Sequence, residues 1–163
     1  MAATTSGSAK VTLPTDEQIL ITREFDAPRH LVYRAYTEPE LVRRWWPGKR
    51  GEMSTAEIDL RVGGAWRYAM IAEGGFEVAF HGEFREIVPS ERIVHTEVYE
   101  GAPPGTGPAL VTVDLAEDAG RTRLRMLMEL EDRETRDAII ESGMEGGLQE
   151  GLDILEQIAV ELR

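Results

Sequence analysis

The chain has 163 residues, 42% of them hydrophobic and 29% charged, with a net charge of -12 and no cysteine. That length suits one domain with a full core. The charge argues against nucleic acid and against anionic membrane surfaces, since both need a basic footprint. Without cysteine there are no disulfides, thiolate nucleophiles or thiolate metal sites.

The opening MAATTSGSAK lacks the apolar stretch of a signal peptide, and no later run is long enough to span a bilayer, so a cytoplasmic location is expected. Lys10 and Lys49 are the only lysines beside many arginines, a bias typical of GC-rich bacterial genomes. Residues 1–15 are small and polar and read as a disordered N-terminal tail, leaving 16–163 as the domain.

Ile19, Ile21 and Phe25 alternate with Leu20, Thr22 and Glu24, the pattern of a half-buried strand. Asp26 is placed to cap the helix that follows, with Pro28 in its first turn and Leu31, Val32, Ala35 and Tyr36 on its apolar face. Thr37-Glu38-Pro39-Glu40 has the form of a capping box opening a short helix through Trp45 and Trp46, ended by Pro47-Gly48.

From Glu52 to Leu130 the period is two. The apolar rows are Ala56–Val62, Trp66/Tyr68/Met70, Val78/Phe80/Gly82/Phe84, Ile93/His95/Glu97, Val111/Val113/Leu115 and Leu124/Met126/Met128/Leu130, separated by short turns. Such rows predict an antiparallel meander of about six strands. Helical spacing returns with Met144, Leu148, Leu152, Leu155, Ala159 and Leu162, after a lead-in at 133–141 and a bend at Ser142-Gly143. The expected class is α+β: a curved antiparallel sheet around a long C-terminal helix, the element long enough to cover it.

Several residues carry candidate chemistry. Trp66, Tyr68, Met70, Phe80 and Phe84 would face one way as core filling or as the wall of a small-molecule cavity, with Met128, Met144 and Leu148 closing it. Gly82 would leave room there. Of the adjacent Trp45 and Trp46, one must turn inward and the other lie near a pocket mouth. His81 shares a strand face with Glu83, and His95 with Glu97, so either histidine could serve as a base; ordinary solvated strand surface is the simpler reading. Arg43, Arg44, Lys49 and Arg50 form a basic cluster, read as a solvated helix face or an anion attractor. Gly143, Gly146 and Gly147 burden the last helix, for close backbone approach or for a loosened lid.

The order of elements resembles the START-like (SRPBCC) superfamily, a helix-grip fold shared with Bet v-like proteins. In detail it is similar to the bacterial single-domain branch related to the activator of heat-shock protein 90 ATPase. The residues carrying the likeness are Phe25-Asp26-Ala27-Pro28, Trp45-Trp46-Pro47-Gly48, Asp59 to Gly64 running into Trp66-Arg67-Tyr68, Gly82 to Pro89, Glu91 to Val94, and Ser142-Gly143-Met144 with Gly147. Trp-Trp-Pro-Gly inverts the more usual Trp-Trp-Gly-Pro, and His95 stands where an aromatic is common.

The resemblance implies a cavity between sheet and last helix. The expected function is binding of a small hydrophobic molecule through Trp46, Trp66, Tyr68, Met70, Phe80, Phe84, His95, Met128, Met144 and Leu148. No cofactor, metal or catalytic residue is assigned. A co-chaperone-like interaction domain and a START-like cyclase or hydrolase using a cavity histidine are the alternatives, and a chaperone partner and a homodimer both stay open.

Overall fold

The computed structural model describes residues 9–163. The element order is β1 (Lys10–Thr12), β2 (Gln18–Phe25), α1 (Arg29–Thr37), α2 (Pro39–Trp45), β3 (Gly51–Ile58), β4 (Ala65–Ala72), β5 (Glu77–Val88), β6 (Arg92–Tyr99), β7 (Ala109–Asp118), β8 (Arg121–Glu129), α3 (Arg133–Glu141) and α4 (Met144–Glu161). All neighbours pair antiparallel, in the order β1-β2-β8-β7-β6-β5-β4-β3. The meander β3 to β8 matches the six period-two rows, and β2 closes onto β8.

The tail expected at 1–15 is corrected in its later part. Lys10–Thr12 pairs with β2, and the Ala9 backbone exchanges two hydrogen bonds with the Gln149 side chain on α4 (3.0 and 2.9 Å). Backbone pairing satisfies a polar strand as well as an apolar one, so composition alone missed it. Residues 1–8 lie outside the described residues.

Three local expectations also change. Pro28, not Asp26, occupies the N-cap of α1, and no side chain caps α2. Thr37 is instead buried and its hydroxyl donates back to the Tyr33 carbonyl (2.7 Å), which ends α1 rather than starting α2. Leu60 and Val62 fall beyond the end of β3 and are exposed.

The main core lies between the concave face of β2, β8 and β7 and the helices. Ile19, Ile21, Phe25, Val111, Val113 and Leu124 meet Val32, Val42, Leu152, Leu155 and Ile158, all essentially inaccessible. A second, smaller cluster of Trp66, Phe84 and Ile93 lies on β4, β5 and β6. Helix α4 starts at Gly143, whose φ of +84° turns the chain sharply out of α3 and suits glycine.

Arg23 was unforeseen. It lies on the inward row of β2 with its side chain fully covered, bonded to Asp153 (2.8 Å) and Glu156 (3.0 Å) of α4. Its guanidinium also lies 5.1 Å from the Phe25 ring centroid. Glu156 further accepts from the Asp26 backbone N–H at 2.8 Å, so one carboxylate ties α4 to both β2 and the turn after it.

Two measurements check this packing. Leu152→Asp places an unpaired carboxylate at an inaccessible site and is expected to cost about 4 kcal/mol or more by urea denaturation; an unchanged midpoint would show that the wrong face of α4 is buried. Arg23→Met and Glu156→Gln should each cost about 2–4 kcal/mol, with the double variant costing clearly less than their sum. Strict additivity would show that the pair does not act as a unit.

Candidate ligand cavity

Between the two clusters the interior is not filled. A cavity of about 360 Å³ lies between the sheet and the first half of α4. Its floor is the inward face of β4, β5 and β6, with Met126 and Met128 from β8. Its roof is Trp46 and Pro47 after α2, and Met144, Gly147, Leu148 and Gly151 on α4.

The ten residues named from sequence as ligand contacts, Trp46, Trp66, Tyr68, Met70, Phe80, Phe84, His95, Met128, Met144 and Leu148, all line this space. The sheet register brings them together: Tyr68 sits opposite Phe80 on β4 and β5, and Phe84 opposite His95 on β5 and β6. The tryptophan pair divides as expected. Trp45 is buried, stacks on Tyr36 (5.5 Å between centroids) and donates its indole N–H to the Ala35 carbonyl at 2.8 Å. Trp46 is half-buried and meets Tyr68 and Phe80 edge-on, both at 5.6 Å.

Gly82 does not leave room in the cavity. A Cβ there would collide with the Thr96 carbonyl and come within 2.7 Å of the Trp66 indole nitrogen. The missing side chain lets that indole reach past β5 and donate to Thr96 O at 3.2 Å. The same carbonyl accepts from His95 Nδ1 at 3.0 Å, and the two rings stand nearly perpendicular, 5.1 Å apart. A carbonyl can only accept, so Nδ1 carries the proton and Nε2 of the neutral ring is left as an acceptor. Burial lowers the His95 pKa, against the smaller opposing effect of the Thr96 hydrogen bond, and so favours that neutral form.

The histidine–carboxylate pairings resolve differently on the two strands. His81 points outward, its Nδ1 2.9 Å from Glu100, which also takes two hydrogen bonds from Arg67. Hydrogen bonds from Arg67 and then His81 hold the Glu100 carboxyl down to about 2. That group is exposed surface. His95 and Glu97 both line the cavity, but the Nδ1 of His95 bonds to backbone rather than to Glu97, so the carboxylate-oriented base of a hydrolytic dyad is not assembled.

Glu97 is the residue the sequence reading underused. Its side chain is half-buried and faces the cavity, and burial pushes its pKa up to about 7. Tyr36 and Tyr68 also line the cavity, their phenols raised first by burial and further by the charge of Glu97, with Tyr36 also raising Tyr68. The signal was available, because Glu97 stands two residues from His95 on the same strand face.

Two residues of the basic cluster pair with acidic side chains of α4. Arg44 bonds Glu161 (2.9 Å), and Arg50 lies 3.4 Å from Glu150 with its guanidinium against Gly146 and Gly147. A Cβ at Gly146 would come within 2.9 Å of the Arg50 guanidinium, so glycine there lets that side chain lie close to the helix. Among the described residues no group of three or more His, Asp or Glu could hold a metal ion, and no helix is long and apolar enough to cross a membrane.

Comparison with known proteins agrees with this architecture. A structure from Rhodobacter sphaeroides superposes with a TM-score of 0.86 at 23% identity, covering 94% of this chain and 99% of that one. One from Chromobacterium violaceum has 30% identity and a TM-score of 0.77 over 89% and 98% of the two chains. One from Nitrosomonas europaea has 25% identity and a TM-score of 0.80 over 91% and 97%. No curated protein matches. The family model described as "Activator of Hsp90 ATPase homolog 1-like protein" matches residues 26–159, and with that span nearly the whole helix-grip domain is accounted for: the chain belongs to this family.

Proposed function

We propose that the chain binds a small, largely apolar molecule between the sheet and α4. The observation that carries this reading is the aromatic-walled cavity of about 360 Å³, within the range of small-molecule pockets. Protein interiors otherwise pack closely, and space of this size forfeits contacts that a few larger side chains would restore. The methionines Met126, Met128 and Met144 at its walls suit a surface that adapts to its occupant.

Docking on a heat-shock protein 90 chaperone is a second reading, supported by the description of the matching family. It needs an external surface rather than a hollow interior, and stimulation of a purified chaperone's ATPase would reveal it.

The binding reading is tested with the neutral dye N-phenyl-1-naphthylamine. Saturable one-to-one enhancement of its fluorescence is expected, abolished in Leu148→Trp, where an indole projects from α4 into the cavity. A dye signal that never saturates, or one unaffected in a folded Leu148→Trp variant, would overturn it.

Glu97 gives a check that needs no ligand. Its pKa rises from 4.5 to about 7 on folding, so the folded state binds the extra proton. Its favourable contribution is therefore complete below pH 4.5 and is lost as pH rises to about 7, by at most about 3 kcal/mol. Glu97→Gln should thus melt above the parent at pH 8 and close to it at pH 4. Equal melting at both would show a carboxyl well hydrated inside the cavity.

A further inference from the structure

Several of the polar groups facing the cavity present acceptors. Glu97 makes no hydrogen bond to any described residue, and its carboxylate can only accept when ionised. His95 offers a ring whose Nδ1 proton is already spent on Thr96, leaving Nε2 as an acceptor. The phenols of Tyr36 and Tyr68 can accept or donate and stay neutral. Arg50 is the one cationic lining residue; it is half exposed and faces Glu150. The walls around these acceptors are the faces and edges of Trp46, Trp66, Tyr68 and Phe80, with neighbouring centroids 4.9 to 5.6 Å apart.

We propose that the cavity selects a lipophilic monocationic amine, its ammonium held by Glu97 amid Tyr36, Tyr68 and His95 and its apolar body against the aromatic walls. This rests on the binding reading above and names the class of ligand. An ammonium supplies donors only, the complement of the acceptors present. It converts an unpaired, half-buried carboxylate into a charge-assisted pair, and aromatic faces attract the same charge. A carboxylate ligand would meet Glu97 with like charge, and a hydrocarbon would leave it unpaired. The overall charge of -12 also favours the approach of a cation.

The titratable groups lining the cavity are Tyr36 from α1, Arg50 from the segment before β3, Tyr68 from β4, and His95 and Glu97 from β6. Of these, Glu97 is the one whose ionisation falls near pH 7 and creates the partner for an ammonium.

Three probes of one shape test the proposal by calorimetry at pH 8: 2-naphthylmethylamine, 2-naphthylmethanol and 2-naphthoic acid. The amine should bind about tenfold or more tightly than the alcohol, and the acid most weakly. Glu97→Gln should remove the amine's advantage while retaining alcohol binding, which also shows that the variant is folded. In the parent, amine affinity should fall between pH 8 and pH 5.5 as Glu97 takes up its proton, while the ligand remains an ammonium throughout. An alcohol or acid bound as tightly as the amine, or an amine preference that survives Glu97→Gln, overturns the inference but leaves the cavity reading standing. Failure of all three probes and of N-phenyl-1-naphthylamine overturns both.

Discussion

One long helix has to cover a sheet much wider than itself. A helix is about 10 Å across and strands lie about 4.8 Å apart, so α4 can lie closely over only two or three of the eight strands. It is held to one side. Leu152, Leu155 and Ile158 pack on β2, β8 and β7, and Arg23 anchors the helix to β2 through Asp153 and Glu156. Opposite the apolar inward face of the remaining strands β4 to β6 stand the first half of α4 and the segment after α2, with space left between. Aromatic side chains reach into that space without filling it, and the cavity is what remains. The hollow thus lies beside the part of α4 that these ion pairs fix to β2.

The interior polarity has an equally local origin. The Thr96 carbonyl receives both the Trp66 indole and the His95 ring, and that double acceptance orients two rings of the cavity wall. It is permitted by Gly82, where any side chain would push β5 away from β6. One residue further along β6, Glu97 faces the cavity from the same side as His95, with nothing in the protein to neutralise it. A carboxyl retained under such conditions reduces stability near neutral pH, and core packing gives no reason for it. Binding does.

Much of this was legible in the chain because period-two rows specify which side chains share a face, whatever the pairing partners turn out to be. Trp66, Tyr68 and Met70 could therefore be grouped before the register with Phe80 was known. What pairing decides was harder to read. Gly82 looked like vacant volume, whereas its role depends on the approach of β6, a strand ten residues later. Arg23 breaks an apolar row by residue type, and only the acidic side chains of α4, some 130 residues away, make an inward arginine stable. Lys10–Thr12 is a short strand set by backbone pairing with β2, and the single apolar Val11 packed on the core is too little to mark it in the sequence. Thr37 fits a capping pattern by sequence, yet its hydroxyl found the preceding turn first. Glu97 could be placed on the right face, but its isolation from any cation is a property of the assembled cavity.

The central claim is that the space between β4 to β6 and the first half of α4 is real, apolar and occupiable. Xenon is suited to testing it, because it enters dry cavities and needs no knowledge of the natural ligand. In crystals pressurised with xenon, anomalous density is expected between Trp66, Phe80 and Met128. Absence of any peak there, with Met126, Met144 and Leu148 interlocked across the space, would contradict the account.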